Sequence, residues 1–544
     1  MAFQFQSTVF GQLVRALTRN KHFRYPDEID PSLCEKSIVR IKAHRSPLTS
    51  GQAGSTTEIN DIKAIELQNS KVEEGESIRI VRWYGPDDLE NPQNWPTHWK
   101  HLITFQLCFL NFAVYMTSSI YVPGEMSIIE ELGISKTVAV LGLSFFTIGY
   151  GFGPMLWSPM SEMPKVGRSS IFFWTLLAFV LLQVPAGYAT NIAMFLVFRL
   201  LTGFCGSPCL ATGGGTIADM YSPVWVSYAI CIWSSAGICG PVFGPIIGGF
   251  VAPARGWRWT IWVIEWLCSF VLILLFFFLP ETSAENILYK RAKRLRKATG
   301  DSRLRSQSEI DAASQHIKDH LTVLARAFTL TFTEPIVLLM DLYSGLLYGI
   351  LFIWFESFPI VFGEIYKLDT SEQGLIFLGI FVGALSSVPL LLIWMKHRII
   401  PRIANPDFKP EEFLSPVFVG TVTLPICLFW YGWSARESIH WIMPTVGTGF
   451  FSVSVVTLFN SLFNYLGVAY PLYTASIFAG NALFRAACGA IFPVFARSLF
   501  ERLGVGPGNS LLGGVSVCFI PIPFIFRRYG VQIRYMSKNA RHDV

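Results

Sequence analysis

Four charged side chains stand in stretches otherwise built of apolar residues: Arg199, Asp341, Glu356 and Arg485. A charge in apolar surroundings is costly enough to mark a functional position by default. Asp341 or Glu356 could take a proton at working pH only if its surroundings favour the neutral acid, and a partner arginine opposes that. Arg199, in Phe195-Leu-Val-Phe-Arg199-Leu-Leu-Thr-Gly203, lies too deep for easy snorkelling. It either modulates a proton acceptor or hydrogen-bonds helix carbonyls and holds a kink. Asp219 and Glu265 fall nearer to the ends of their stretches. The chemistry on offer is proton binding rather than covalent catalysis. No nucleophile and base stand at recognisable spacing, and there is no phosphate loop, His-Glu-x-x-His or paired Cys-x-x-Cys. No catalytic residue, metal site or cofactor is expected.

A second set is built from small residues. Gly237, Gly240, Pro241, Gly244, Pro245, Gly248 and Gly249 recur at intervals of three and four, so they line one side of a helix. Without a Cβ another helix can approach closely there, and prolines bend the ladder where spanning helices tolerate it. A generic small-residue contact explains single glycines; the paired Gly-Pro steps point to a hinge. Tyr115, Tyr348, Trp354, Phe358, Asn460 and Tyr465 could line an apolar cavity, although ordinary packing accounts for any one aromatic.

These residues need elements to hold them. Hydrophobic residues make up 52% of the 544-residue chain and charged residues 15%, with mean hydropathy +0.44. That balance excludes a soluble protein. A bilayer core of about 30 Å needs about 20 apolar residues per helix. Twelve such stretches are legible: 101–122, 138–160, 171–189, 192–218, 228–252 and 258–279, then 336–362, 374–395, 415–433, 439–465, 471–499 and 508–527. Six fall on either side of a charged linker, which suggests two parallel six-helix repeats. The chain divides into 1–98, polar and largely disordered (41–78 above all), 99–280, 281–335, 336–529 and 530–544.

Basic residues follow the second, eighth and last stretches, at Lys165 and Arg168, Lys396 to Lys409, and Arg527 to Arg541. The positive-inside rule therefore puts both termini and the linker in the cytosol. The formal charge of +6 is a topology signal and gives a nucleic-acid partner little support. Nine of ten cysteines lie in or beside apolar stretches, so no disulfide framework is implied. In the linker, Leu288, Ala292 and Leu295 share one helical face with cations around the rest. That suits a helix at an anionic leaflet, and equally a solvated linker helix.

The combined motifs resemble the major facilitator superfamily, specifically its fungal drug:proton antiporter branch with twelve spans. The run Gly237 to Gly249 resembles the antiporter motif of the fifth helix, and Arg199 with Gly203 resembles the motif of the fourth helix that the family assigns to proton transfer. Trp83-Tyr-Gly-Pro-Asp-Asp-Leu-Glu-Asn-Pro-Gln-Asn-Trp95, Leu279-Pro-Glu-Thr282, Trp354-Phe-Glu-Ser-Phe-Pro359, Phe463-Asn-Tyr-Leu466 and Phe478-Ala-Gly-Asn481-Ala-Leu-Phe-Arg485 are similar to segments of fungal members. Asn481 joins the cavity candidates on that ground. One motif departs from the pattern: Ser158-Pro-Met-Ser-Glu162-Met-Pro-Lys165-Val-Gly167-Arg168 lengthens the loop after the second helix. A direct Glu162–Arg168 latch is thereby put in doubt, with Lys165 as a substitute.

The resemblance implies an all-α integral membrane protein of the major facilitator fold, two six-helix halves around a central cavity. It implies a proton-coupled exporter of amphipathic drugs, xenobiotics or fungal toxins, working by alternating access and driven by the proton gradient. The expected partners are a small-molecule substrate, protons and the lipid bilayer, with a monomer in the plasma membrane. A polyamine exporter or nutrient importer of the same fold is the alternative. A non-transporting receptor fits less well, for the tail after Arg528 is short.

Overall fold

The computed structural model describes residues 5–29, 33, 38–40, 78–313, 328–403, 405, 408–470, 474–537 and 539–540. Twelve helices in it are long and apolar enough to cross a membrane. The first six are Thr97–Leu132, Lys136–Glu162, Arg168–Gly187, Ile192–Met220, Val224–Arg255 and Trp257–Phe278. The second six are Pro335–Ile365, Thr370–Ile403, Pro410–Ser434, Ile442–Ala469, Ser476–Leu503 and Val505–Met536. Local chemistry sets their ends. Asn191 accepts the Met194 amide at 2.8 Å to start the fourth span, and Asp369 and Glu372 form a reciprocal capping box at the eighth.

Packing repeats between the halves. The first span packs on the fifth as the seventh does on the eleventh, and the second on the fourth as the eighth on the tenth. The third meets the sixth as the ninth meets the twelfth. Across the boundary, the second packs on the eleventh and the fifth on the eighth, a pair that the same repeat exchanges. With six crossings in each half, Thr97, the linker and Met536 share one end, called here the linker end.

Most of the spans run longer than the apolar stretches. The first bends through Val122–Gly124 and continues as Glu125–Leu132, and the last extends to Met536, well into the expected tail. Before the first span, the expectation of disorder needs correction. Helix Val9–Leu17 packs on the third and sixth spans. Strands β1 (Ile38–Arg40), β2 (Arg79–Val81) and β3 (Leu304–Ser306) form one sheet in that order, antiparallel then parallel. The rest of that expectation, residues 1–4, 30–32, 34–37 and 41–77, lies outside the described residues.

The linker helix Ala284–Thr299 also departs from expectation. Ala292 and Leu295 pack with Val81, Leu304 and Ile38, so its apolar face is covered by the sheet. Its cations turn inward too. Arg291, fully buried, binds Asp88 at 2.7 and 3.1 Å under the rings of Trp83 and Tyr84, and Arg294 binds Glu90 and Asp27. Burial opposes the charge of Arg294, but Glu90 and Asp27 outweigh it and hold its pKa above the ordinary value. A leaflet-facing linker helix is therefore replaced by a folded unit on the first half. The segment Trp83 to Trp95 is its carboxylate donor.

Candidate functional site

At the centre, Arg485 of the eleventh span donates from Nη1 to the Tyr115 hydroxyl of the first at 3.0 Å. Its guanidinium lies 5.7, 5.5 and 5.4 Å from the rings of Tyr348, Phe459 and Phe463. No carboxylate is bound to it among the described residues. Ser234 joins Asn460 across the halves at 2.5 Å. Between these groups is a cavity of about 30 Å³, lined by Asn111, Tyr115, Trp233, Ser234, Tyr348 and Arg485 among others. That is room for about one water.

One turn before Arg485, Asn481 donates to Asp341 Oδ1 at 2.9 Å and to Ser344 at 2.7 Å. Asp341 is fully buried, and its Oδ2 has no hydrogen-bond partner. The structure thus brings Asp341, Asn481, Arg485, Tyr115 and Tyr348 together, with Asn460 beside them.

Glu356 stands apart from that group, toward the end opposite the linker. It is 7% exposed and its Oε1 has no partner. Glu125 and Glu356 lie near enough to act on each other electrostatically, and the charge of Arg497 reaches both. Arg497 itself pairs with Glu501 at 2.7 Å and Glu364 at 3.6 Å. Glu125, whose Oε1 is also buried and unpartnered, is absent from the sequence candidates. The apolar stretch stops at 122, and only the break Pro123-Gly124 signals that the helix restarts with an acid inside.

Arg199 is fully buried and meets no carboxylate among the described residues. It donates to the Gly142 and Thr117 carbonyls at 3.0 Å each and to the Ser118 carbonyl at 3.5 Å, with its guanidinium 4.6 Å from the Phe146 ring. Thr117 and Ser118 end the helix Thr97–Ser119, whose last carbonyls lack helical donors. Arg199 supplies them.

The glycine face packs mainly within its own half. A Cβ on Gly237 would meet Asn111 at 2.7 Å, on Gly240 would meet Tyr115 at 2.6 Å, and on Gly244 the Ile120 amide at 2.7 Å. One on Gly248 would strike the Ile120 carbonyl. Ser119 donates to the Pro241 carbonyl at 2.8 Å. Only the far end crosses the boundary: a Cβ on Gly249 would lie 2.8 Å from the Thr370 carbonyl, one on Gly374 2.6 Å from that of Pro245, and Ser371 donates to Gly249 at 3.0 Å.

At the linker end, Arg168 bonds Asp219 through Nε at 2.5 Å and Nη2 at 3.3 Å. Glu162 and Lys165 are exposed, and the charge of Glu162 acts on Arg168 without replacing Asp219. Glu281 accepts from the amides of Arg168, Thr282 and Ser283 at 3.0, 3.0 and 2.9 Å and from the Ser169 hydroxyl at 2.9 Å. Gly167, at φ +78, lets the chain turn against that carboxylate, where a Cβ would also lie 2.8 Å from Asn286. The bonded partner of Arg168 is thus Asp219, a residue outside the Glu162, Lys165, Gly167 and Arg168 group considered for the latch.

Three cavity candidates sit elsewhere. Trp354 and Phe358 pack on Tyr431, with Phe451 4.7 Å from the first ring and Phe377 4.4 Å from the second. Tyr465 is fully buried in the second half, within electrostatic reach of Glu411 and Arg534. None of the three lines the central cavity; of the seven candidates Tyr115 and Tyr348 do, while Asn460 and Asn481 stand beside it.

A family model described as Major Facilitator Superfamily matches residues 107–525. Transporter mfs1 of Schizosaccharomyces pombe is 42% identical, over 98% of this chain and 99% of its own. Fluconazole resistance protein 1 of Saccharomyces cerevisiae is 40% identical over 87% of each chain. Among solved structures, the proton:xylose symporter XylE superposes with a TM-score of 0.57 at 13% identity, covering 82% of this chain and 98% of that one. The human organic anion transporter MFSD10 gives 0.54 at 16% identity, covering 80% and 100%.

Proposed function

The chain belongs to the Major Facilitator Superfamily, and from that membership we propose that it exports amphipathic drugs, xenobiotics or fungal toxins in exchange for protons. Relatives named for fluconazole resistance, cycloheximide resistance and multidrug transport, 35–40% identical over most of the chain, support the substrate class. The observation that carries proton coupling is the pair of buried acids in the seventh span, Asp341 and Glu356, each with an oxygen lacking a hydrogen-bond partner. Arg199 and Arg485 are bonded to neutral oxygens and form no ion pair with these carboxylates, although the charge of Arg485 reaches Asp341 and that of Arg497 reaches Glu356.

A cavity of about 30 Å³ has no space for a drug-sized molecule, whose sites are typically about 300 Å³ or more. An apolar hollow of about 830 Å³ does lie between the eighth and tenth spans, but at the centre space must come from parting the halves, and this supports alternating access about the second–eleventh and fifth–eighth contacts. The proton would bias that equilibrium through its different affinity for the two states. The basic residues at the linker end favour cytosolic termini, and the plasma membrane is the site that export requires. The test is efflux of a compound panel from a pump-deleted yeast host, with and without a proton uncoupler. Expression-dependent efflux abolished by the uncoupler supports the reading. Uptake, or efflux indifferent to the uncoupler, overturns it.

A further inference from the structure

The leaflet-binding helix that the linker does not supply is found instead near the start of the chain. Helix Val9–Leu17 begins at Thr8, whose hydroxyl accepts the Gly11 amide at 3.0 Å. At about 100° per residue, Val9, Leu13, Ala16 and Leu17 share one face. Leu13 is 49% exposed and Leu17 75%. Its one cation, Arg15, faces the other way: 8% exposed, it binds Glu28 at 2.9 and 2.7 Å and lies 4.5 Å over the Tyr25 ring. A water-facing helix would show the opposite polarity, leucines in and arginine out.

The position of the helix fits its polarity. Phe10 packs on Phe276 and Phe277 at 5.9 and 5.0 Å, and Phe5 on Trp99 and Phe278 at 5.4 and 5.9 Å. These partners mark the linker end of the sixth and first spans, so the helix lies at headgroup depth. Phe276 continues through Phe173 at 5.7 Å to the lipid-facing surface, where Trp174, Phe270 and Ile273 are more than half exposed. The exposed turn that follows carries Arg19, Lys21, His22 and Arg24.

We propose that helix Val9–Leu17 is an interfacial membrane helix, with Leu13 and Leu17 immersed in the leaflet at the linker end and Arg19, Lys21 and Arg24 against anionic headgroups. Apolar surface continuous with the spans, flanked by cations, matches a lipid surface in both its parts. It anchors the N-terminal segment, and through Asp27 and Arg294 the linker helix, to the plane of the membrane.

The test places a spin label at Leu13, Leu17 or Asp87 of the full chain through a genetically encoded keto amino acid, leaving the ten cysteines intact. Purified protein is reconstituted in phosphatidylcholine vesicles with or without phosphatidylglycerol. Collision with oxygen, relative to a water-soluble nickel complex, is expected to be several-fold higher at Leu13 and Leu17 than at Asp87. Equal, water-like values at all three overturn the proposal, and with no other protein present a protein partner cannot mimic immersion. Phosphatidylglycerol is expected to deepen the two labels, and Arg19→Gln, Lys21→Gln and Arg24→Gln together to cancel that gain. Identical depth in both lipids overturns the headgroup role of the cations. Circular dichroism and monodispersity of the labelled proteins exclude misfolding as the cause of a water-like result.

Discussion

Arg168 is clasped by Asp219, fifty-one residues along the chain, and not by the carboxylate at Glu162 six residues before it. The pair joins the start of the third span to the end of the fourth, while Glu281 holds the backbone of the same residue. Breaking a buried ion pair by removing one member costs on the order of 3–5 kcal/mol. The exposure of these side chains, 12% and 21%, sets the expected loss near the low end of that range. Asp219→Asn should therefore lower thermal stability and transport together, and Glu162→Gln should do so much less. A double-mutant cycle with Arg168→Lys is expected to give strong coupling to Asp219 and weak coupling to Glu162. Stronger coupling to Glu162 than to Asp219 would return the latch to Glu162.

The glycine face divides into two experiments. Gly244→Val drives a branched side chain into Ser119 and the Ile120 amide of the same half, an overpacking that costs about 1–3 kcal/mol or more. It should reduce the amount of folded protein. Gly249→Ala meets the Thr370 carbonyl on the other half at 2.8 Å. It should leave abundance intact and weaken closure at the end opposite the linker, read as faster labelling of a cysteine placed at Ser371. Unchanged labelling with normal abundance would remove that contact from the gate.

Helical period made this face legible, since intervals of three and four are visible in one segment. Its partner was not, because Ser119 and Thr370 lie on other helices and nothing in the run points to them. The same limit explains the linker. Cations around Ala292 and Leu295 look solvated until Asp88 and Glu90, some two hundred residues earlier, arrive to bind Arg291 and Arg294. The twelve spans were readable from composition, whereas Glu125 was hidden by the Pro123-Gly124 break that ends the apolar stretch.

Asp88 tests the linker unit. It accepts from the Tyr84 and Glu90 amides as well as Arg291, and the ion pair is closed to solvent. Asp88→Asn leaves the buried Arg291 guanidinium with Glu90, 3.2 Å away, as its one remaining carboxylate, so the expected loss within that unit falls below the roughly 3–5 kcal/mol of a fully stranded buried charge. Limited trypsin digestion should then cut near Arg291 while the spans stay folded. Resistance equal to wild type would show that the unit does not depend on this pair.

Acid should loosen the N-terminal clip. Burial pushes the Glu28 carboxyl up, but the Arg15 hydrogen bonds and the Tyr25 amide outweigh it and hold it below the ordinary value. A depressed folded pKa gives stability present above the unfolded value near 4.5 and lost as pH falls through the folded one. Hydrogen exchange across residues 9–29 should therefore rise below about pH 4.5, modestly because Glu28 is partly exposed, and Glu28→Gln should remove the pH dependence while raising exchange at neutral pH.

The acids of the seventh span separate coupling from binding. Asp341 is hydrogen-bonded to Asn481 beside the central cavity, whereas Glu356 faces Glu125 near the far end. Each keeps one oxygen without a partner. Glutamine or asparagine retains shape and hydrogen bonding but cannot exchange a proton. If both acids carry the proton in turn, Asp341→Asn and Glu356→Gln should each preserve substrate binding and downhill exchange in vesicles, yet lose uphill transport driven by a pH gradient. Glu125→Gln should leave uphill transport in place with an altered pH profile, because it changes the charge beside Glu356 without removing that acceptor. Arg199→Ala should lower stability by about 1.5–3 kcal/mol through its lost carbonyl bonds and leave gradient-driven transport per inserted molecule unchanged. Full uphill transport in Glu356→Gln would confine the proton to Asp341, and full uphill transport in both variants would exclude the seventh span as the proton path.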